Sequence, residues 1–156
     1  MKRRFIALLD FSEHSEVLLK FSYNWALQAG AELLLVHYIT RPLPTLGDRE
    51  TLDKVKHNAI EQTLSKLKNF AEATVGNDVS IKYHADVYNV SSAIIDLQRP
   101  GTIDYIFVGM NDKSALENLI MASTAVKLAN RVDSIVIALP TADTNYNFSS
   151  MHIAIK

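Results

Sequence analysis

FIALLDFSEHSEVLLKFSYNWALQAGAELLLV, residues 5–36, contains a complete strand–helix–strand pattern. Phe5-Ile-Ala-Leu-Leu9 is a short, unbroken apolar run, the pattern of a strand buried on both faces. In the DFSEHSE segment that follows, Ser12 is the expected helix N-cap. Glu13 and Glu16 then fall in the first turn, where the helix dipole favours negative charge. Leu18, Phe21, Trp25 and Ala29 recur at helical spacing, and Gly30 stands where a left-handed residue commonly ends a helix. Leu33-Leu-Leu-Val36 is a second run like the first.

The same alternation continues to residue 140. TRPLPTLGD (residues 40–48), broken by two prolines, reads as a surface connection near the cleft mouth, with a mobile lid as the functional alternative. A longer helix is expected with Val55, Ala59, Ile60, Leu64, Leu67 and Phe70 on one face, ending near Gly76. Val79, Ile81 and Tyr83 alternate like a strand, and Val90, Ala93, Ile94 and Leu97 mark a short helix stopped by RPG. Tyr105–Val108 is a fourth strand, Leu116–Ala129 a fourth helix, and Ser134–Leu139 a fifth strand ending at Pro140. Apolar strands separated by helices predict an α/β fold, an open doubly wound sheet of five parallel strands with helices on both faces. Ligands of such sheets sit beyond the C-terminal strand ends at the switch point. Asp10 and Gly109 are placed at two such ends, after strands one and four.

The bulk properties narrow the function. The chain has 156 residues, about one domain, and 16 Lys+Arg against 17 Asp+Glu give a net charge of -1. That balance offers no electrostatic case for nucleic acid or an anionic membrane. The absence of cysteine excludes disulfides, thiolate catalysis and thiolate metal sites. The basic start MKRR precedes an apolar run too short for a signal peptide, which needs roughly 7–15 residues, or for a span of about 20. A cytoplasmic protein is the expectation. The domain is read as residues 1–142. Residues 143–156 are read as a linker and the start of a second repeat, because His152-Ile-Ala-Ile155 echoes Phe5-Ile-Ala-Leu8. An added edge strand or frayed tail is the alternative.

FIALLDFSEHSEVLLKFSYNWALQAGAELLLVHYI resembles the opening of a universal stress protein: strand, D-x-S-E, helix, GAEL, strand, then histidine. IDYIFVGMNDKSALENLIMASTAVKLANRVDSIVIALP (residues 103–140) resembles the closing half of that family. The resemblance covers residues 3–140 and implies a Rossmann-like fold of the adenine nucleotide alpha hydrolase type. It also implies a site. ATP-binding members carry G-x-x-G, nine residues, then G-[ST]; here Gly109 and Ser123 match the first glycine and the hydroxyl, while Asp112 and Ala122 replace the other glycines. Asp10 matches the acid placed near the adenosine, and Tyr88 and Asn89 stand where the family often has glycine.

A phosphate loop works because bare backbone N–H groups face the anion and glycine permits close approach. Asp112 brings negative charge toward the phosphates, at a cost on the order of 1 kcal/mol or more at about 4–6 Å. Ala122 adds a Cβ, and neighbouring Lys113 is the available offset. Ser114-Ala-Leu-Glu117 has the form of a capping box, which would occupy the helix-start donors itself. The cofactor expectation is therefore none, with ATP and magnesium as the alternative, and Asp10, Gly109 and Ser123 are the candidate contacts. Asp10 can equally cap its own turn.

Nothing else in the chain carries chemistry. His14, His37, His57, His84 and His152 show no metal-ligand spacing. His37, placed after strand two where the family commonly has histidine, is expected to make a structural hydrogen bond. Asp10, Ser12 and His14 lie too close on one turn to align as a triad, and no G-x-S-x-G elbow exists. Trp25 reads as core or interface. The expected function is a stress-response module with a degenerate phosphate loop and weak or no ATP binding, not an enzyme. It would act through unknown protein partners and self-association, as a homodimer or tandem pair, by the apolar fifth strand. A nucleotide-binding stress sensor is the alternative.

Overall fold

The computed structural model describes residues 2–40, 46–87, 97, 99–110 and 134–140. The elements in chain order are β1 (Lys2–Leu8), α1 (Ser15–Ala29), β2 (Glu32–Tyr38), α2 (Arg49–Thr74), β3 (Ile81–Asp86), β4 (Thr102–Met110) and β5 (Ile135–Pro140). All neighbouring strands pair in parallel, in the order β3-β2-β1-β4-β5. The chain grows outward from β1 in one direction and from β4 in the other, so the β1–β4 boundary is the switch point. The expected helices at 90–97, Leu97 aside, and 116–129 lie outside the described residues, as do the proline segment 41–45 and the tail 141–156.

The unbroken apolar runs are explained by two cores, one on each face of the sheet. Phe5, Ala7, Leu33, Leu35 and Phe107 pack under Leu18, Leu19, Ala26, Leu67 and Ala71 of the two helices. Ile6, Leu34, Val36, Ile106, Val108 and Val136 form the opposite core, with Leu97 against it. Successive strand residues point to opposite faces, so a strand covered on both sides has no polar position to spare.

One local reading needs correction, and one residue is placed where its charge gave no hint. The buried residues of α1 are Ser15, Leu18, Leu19, Ser22, Tyr23 and Ala26. Phe21 and Trp25 pack only partly against that core, and Ala29 is exposed. The helix is rotated from the expected face. Tyr23 reaches past it, where its hydroxyl accepts from the Asp78 N–H at 3.1 Å. Trp25 is a packing residue, its ring 5.8 Å from Phe107 and 5.6 Å from Phe21. Arg4, part of the basic start, is not a surface residue. It is 4% exposed and pairs with Asp104 of β4, its register partner, across the second face.

Gly30 ends α1 as expected, at φ 58° and ψ 38°, its N–H bonding the carbonyls of the last turn. A Cβ built there meets nothing within 4 Å, so Gly30→Ala tests backbone conformation alone. It should lower unfolding free energy by about 1 kcal/mol in urea denaturation.

Candidate functional site

β1 ends at Leu8, and Asp10 follows two residues later at the C-terminal edge of the sheet. Its Oδ1 accepts from the Ser12 N–H and the Ser15 hydroxyl, each at 2.9 Å. Burial works to raise the Asp10 pKa, but the bonds from Ser12 and Ser15 outweigh it and hold the carboxyl below its ordinary value. The side chain is ionised at neutral pH. Ser12 is not the helix cap: α1 begins at Ser15, with His14 in the N-cap position and no side-chain cap bond. The Asp10 carboxylate, a stronger acceptor than a hydroxyl, takes the Ser12 N–H and closes a turn that displaces the helix start. His14 pairs with Glu13 at 3.4 Å, while Asp10 bonds Ser12 and Ser15, so the three residues do not line up as a triad.

That turn sets Phe11 at φ 60°, the one described non-glycine residue with positive φ. The conformation costs on the order of 1 kcal/mol or more and is held by three contacts to the ring. Its centroid is 4.6 Å from the His37 ring and 6.2 Å from Phe70, and the Lys66 ammonium stands 4.0 Å over its face. Phe11 carried no signal in the sequence beyond its place in the D-x-S-E segment.

His37 is the penultimate residue of β2, not the residue after it. Its Nδ1 is 2.7 Å from the Leu9 carbonyl, a bond that ties β2 to the exit of β1. Two acceptors would repel at that distance, so Nδ1 carries the proton and donates. The structural hydrogen bond expected for this histidine is present. Burial lowers the His37 pKa, and the nearby Lys66 charge lowers it further; the Leu9 bond and Asp10 act in the opposite direction without prevailing. The ring is neutral at physiological pH.

These residues line a cavity of about 530 Å³ with Ile39, Thr40, Ala59, Gln62, Thr63 and Lys66. Its volume lies within the usual range for small-molecule sites. One wall is α2. At 26 residues this helix is about 39 Å long, against about 23 Å for the seven residues of β2. Its two fully buried residues, Leu67 and Ala71, are both in the C-terminal half. The N-terminal half therefore overshoots the sheet and stands beside the strand ends. The cavity lies toward β2; the segment after β4, which would line the crevice between β1 and β4, lies outside the described residues.

Gly109 is also at this end of the sheet, on the central strand beside β1, since Leu8 pairs with Val108. It lies inside β4, paired with Leu139, not in the loop after the strand. A Cβ there would meet only Leu18, at 3.9 Å, among the described residues. Neither its backbone nor its packing against them demands glycine. The topology thus brings Asp10 and Gly109 to adjacent strand ends. Ser123, Asp112, Lys113, Ala122, Ser114, Glu117, Tyr88 and Asn89 lie outside the described residues. Among the described residues no cluster of side chains is suited to a metal ion, and no helix is long and apolar enough to cross a membrane.

Comparison with known proteins agrees with this fold. Residues 1–140 match the universal stress protein family. Among solved structures, a universal stress protein from Archaeoglobus fulgidus is similar at 21% identity and a TM-score of 0.59, over 88% of this chain and 98% of that one. A universal stress protein in complex with cAMP shares 15% identity at a TM-score of 0.59, over 90% and 98%. The Archaeoglobus fulgidus protein in complex with dAMP shares 18% at 0.55, over 88% and 97%. No curated protein matches the sequence significantly.

Proposed function

The chain belongs to the universal stress protein family, and from that premise we propose a stress-response module whose cleft holds the nucleoside part of an adenine nucleotide and grips its phosphates weakly. The observation that carries this reading is the 530 Å³ cavity at the strand ends with ionised Asp10 and neutral His37 along it. It has the size and the hydrogen-bonding groups for a nucleoside. Structures of the same fold complexed with cAMP and dAMP support the choice of adenine. Asp112 and Ala122, standing where ATP-binding members have glycine, support weak phosphate contact. The reading contains no catalytic step.

Titration calorimetry with adenosine, AMP and magnesium-ATP tests it. All three should bind with similar, weak affinity. Replacing both Asp112 and Ala122 by glycine should raise ATP affinity about tenfold, the equivalent of removing one like-charge contact, and leave adenosine unchanged. Micromolar ATP binding by the unaltered chain would defeat the weak-phosphate reading. No binding of any of the three at millimolar concentration would defeat the nucleoside reading itself.

Self-association through β5 belongs to the same proposal. Among the described residues this strand terminates the sheet and carries half-exposed Ile135 and Ala138 beside its buried residues, the kind of edge that invites pairing. Sedimentation equilibrium should show a dimer. A monomer at the highest soluble concentration would remove the idea.

A further inference from the structure

We infer that His37 is a ligand-reading residue: with Asp10 it forms a pair of hydrogen-bond acceptors that admits an occupant presenting N–H or O–H donors. The inference rests on the nucleoside reading and adds a recognition element to it. The argument begins with the bond to Leu9. Donation from Nδ1 to that carbonyl at 2.7 Å fixes the tautomer, so the neutral ring keeps a lone pair on Nε2. Phe11, 4.6 Å away, braces the ring against rotation. His37 lines the cavity, and among the described residues no group donates to Nε2. Asp10 is arranged likewise. The bonds from the Ser12 N–H and the Ser15 hydroxyl both end on Oδ1, and the ionised carboxylate lines the same cavity with acceptor capacity beyond those two.

The charges facing His37 maintain this state. Burial opposes its protonation, and Lys66 on α2 acts in the same direction; the Leu9 bond and Asp10, at the exit of β1, pull the other way without prevailing. An acceptor pair of this kind rejects an occupant that offers only acceptors, because two lone pairs would face each other without a proton between them. In a purine nucleoside the donors are the amino group of the base and the ribose hydroxyls. The shared chemistry is donation, and three ligands separate the two sources.

The experiment titrates the full chain with adenosine, inosine and 2′-deoxyadenosine, followed by amide chemical shifts. Adenosine should bind about three- to tenfold more tightly than the analogue lacking the donor that His37 reads, the effect of one hydrogen bond. Weaker inosine assigns the base amino group, and weaker 2′-deoxyadenosine assigns the ribose. His37→Asn keeps a side-chain N–H for Leu9 and removes Nε2, so it should abolish that preference. The unaltered chain supplies a second test that needs no variant. Adenosine affinity should fall as the pH drops from about 7.5 to about 5, because protonation converts Nε2 into a donor. Asp10, held below the ordinary carboxylate value by its bonds from Ser12 and Ser15, remains ionised throughout that window. Equal affinity for the three nucleosides, or adenosine affinity independent of pH, overturns the assignment while leaving the nucleoside reading in place. Binding of none of them removes both.

Discussion

Replacing Asp104 with leucine while Arg4 remains should destabilise the fold by about 3–5 kcal/mol, a large share of the stability of a domain this size. The two side chains sit opposite each other on the central strands β1 and β4, at 4% and 2% exposure. Nε of Arg4 donates to Oδ1 at 2.9 Å and Nη2 to Oδ2 at 2.8 Å; Nη2 also reaches the Leu97 carbonyl at 2.6 Å. The guanidinium has exchanged water for these acceptors. Among the described residues, deleting the carboxylate leaves a buried cation with one carbonyl. The double substitution Arg4→Met with Asp104→Leu removes both charges and should return to within about 1–2 kcal/mol of the original, because a buried ion pair offsets little more than its own desolvation. Urea denaturation followed by the fluorescence of Trp25, the single tryptophan, measures both. If Asp104→Leu alone costs under about 1 kcal/mol, the pair is better hydrated than its burial implies.

Phe107→Ala should cost about 3–5 kcal/mol, the usual range for a large aromatic removed from a closed core. Phe107 is fully buried on β4 and meets the rings of Phe5, Phe21 and Trp25 at 5.6, 6.0 and 5.8 Å. It is the point at which α1 seats on the middle of the sheet. Because α1 starts at Ser15, which holds the Asp10 carboxylate, loosening that seat should also weaken ligand binding at the strand ends. Phe107→Leu, which retains most of the volume, should cost less than half as much. Equal losses for the two variants would mean that the aromatic contacts matter more than filled space.

The order of elements was legible because each rule involved is local. Phe5–Leu9 and Leu33–Val36 announce two-sided burial by having no polar position, and Gly30 announces a helix end because a left-handed backbone suits few other residues. Those runs suffice for an α/β sheet of parallel strands, and the strand-end rule then places Asp10 at the working edge. The face of α1 was misread. Its periodicity admits two neighbouring stripes, and the choice of Tyr23 over Ala29 depended on Asp78, 55 residues away. The start of α1 was misread because the acceptor that organises the turn is Asp10, before the expected cap.

What the amino-acid order determined without help is the alternation of buried strands and capped helices, and with it the fold class and the family. Periodicity and punctuation are written within a few residues of where they act. Only the tertiary structure decided the pairing of Arg4 with Asp104, 100 residues apart, the bond from His37 to Leu9 and the formation of a cavity against β2 and α2. Each of these depends on strand register or on the overhang of a helix beyond the sheet. Those relations are set by packing among segments distant in the chain, and no short stretch of sequence contains them.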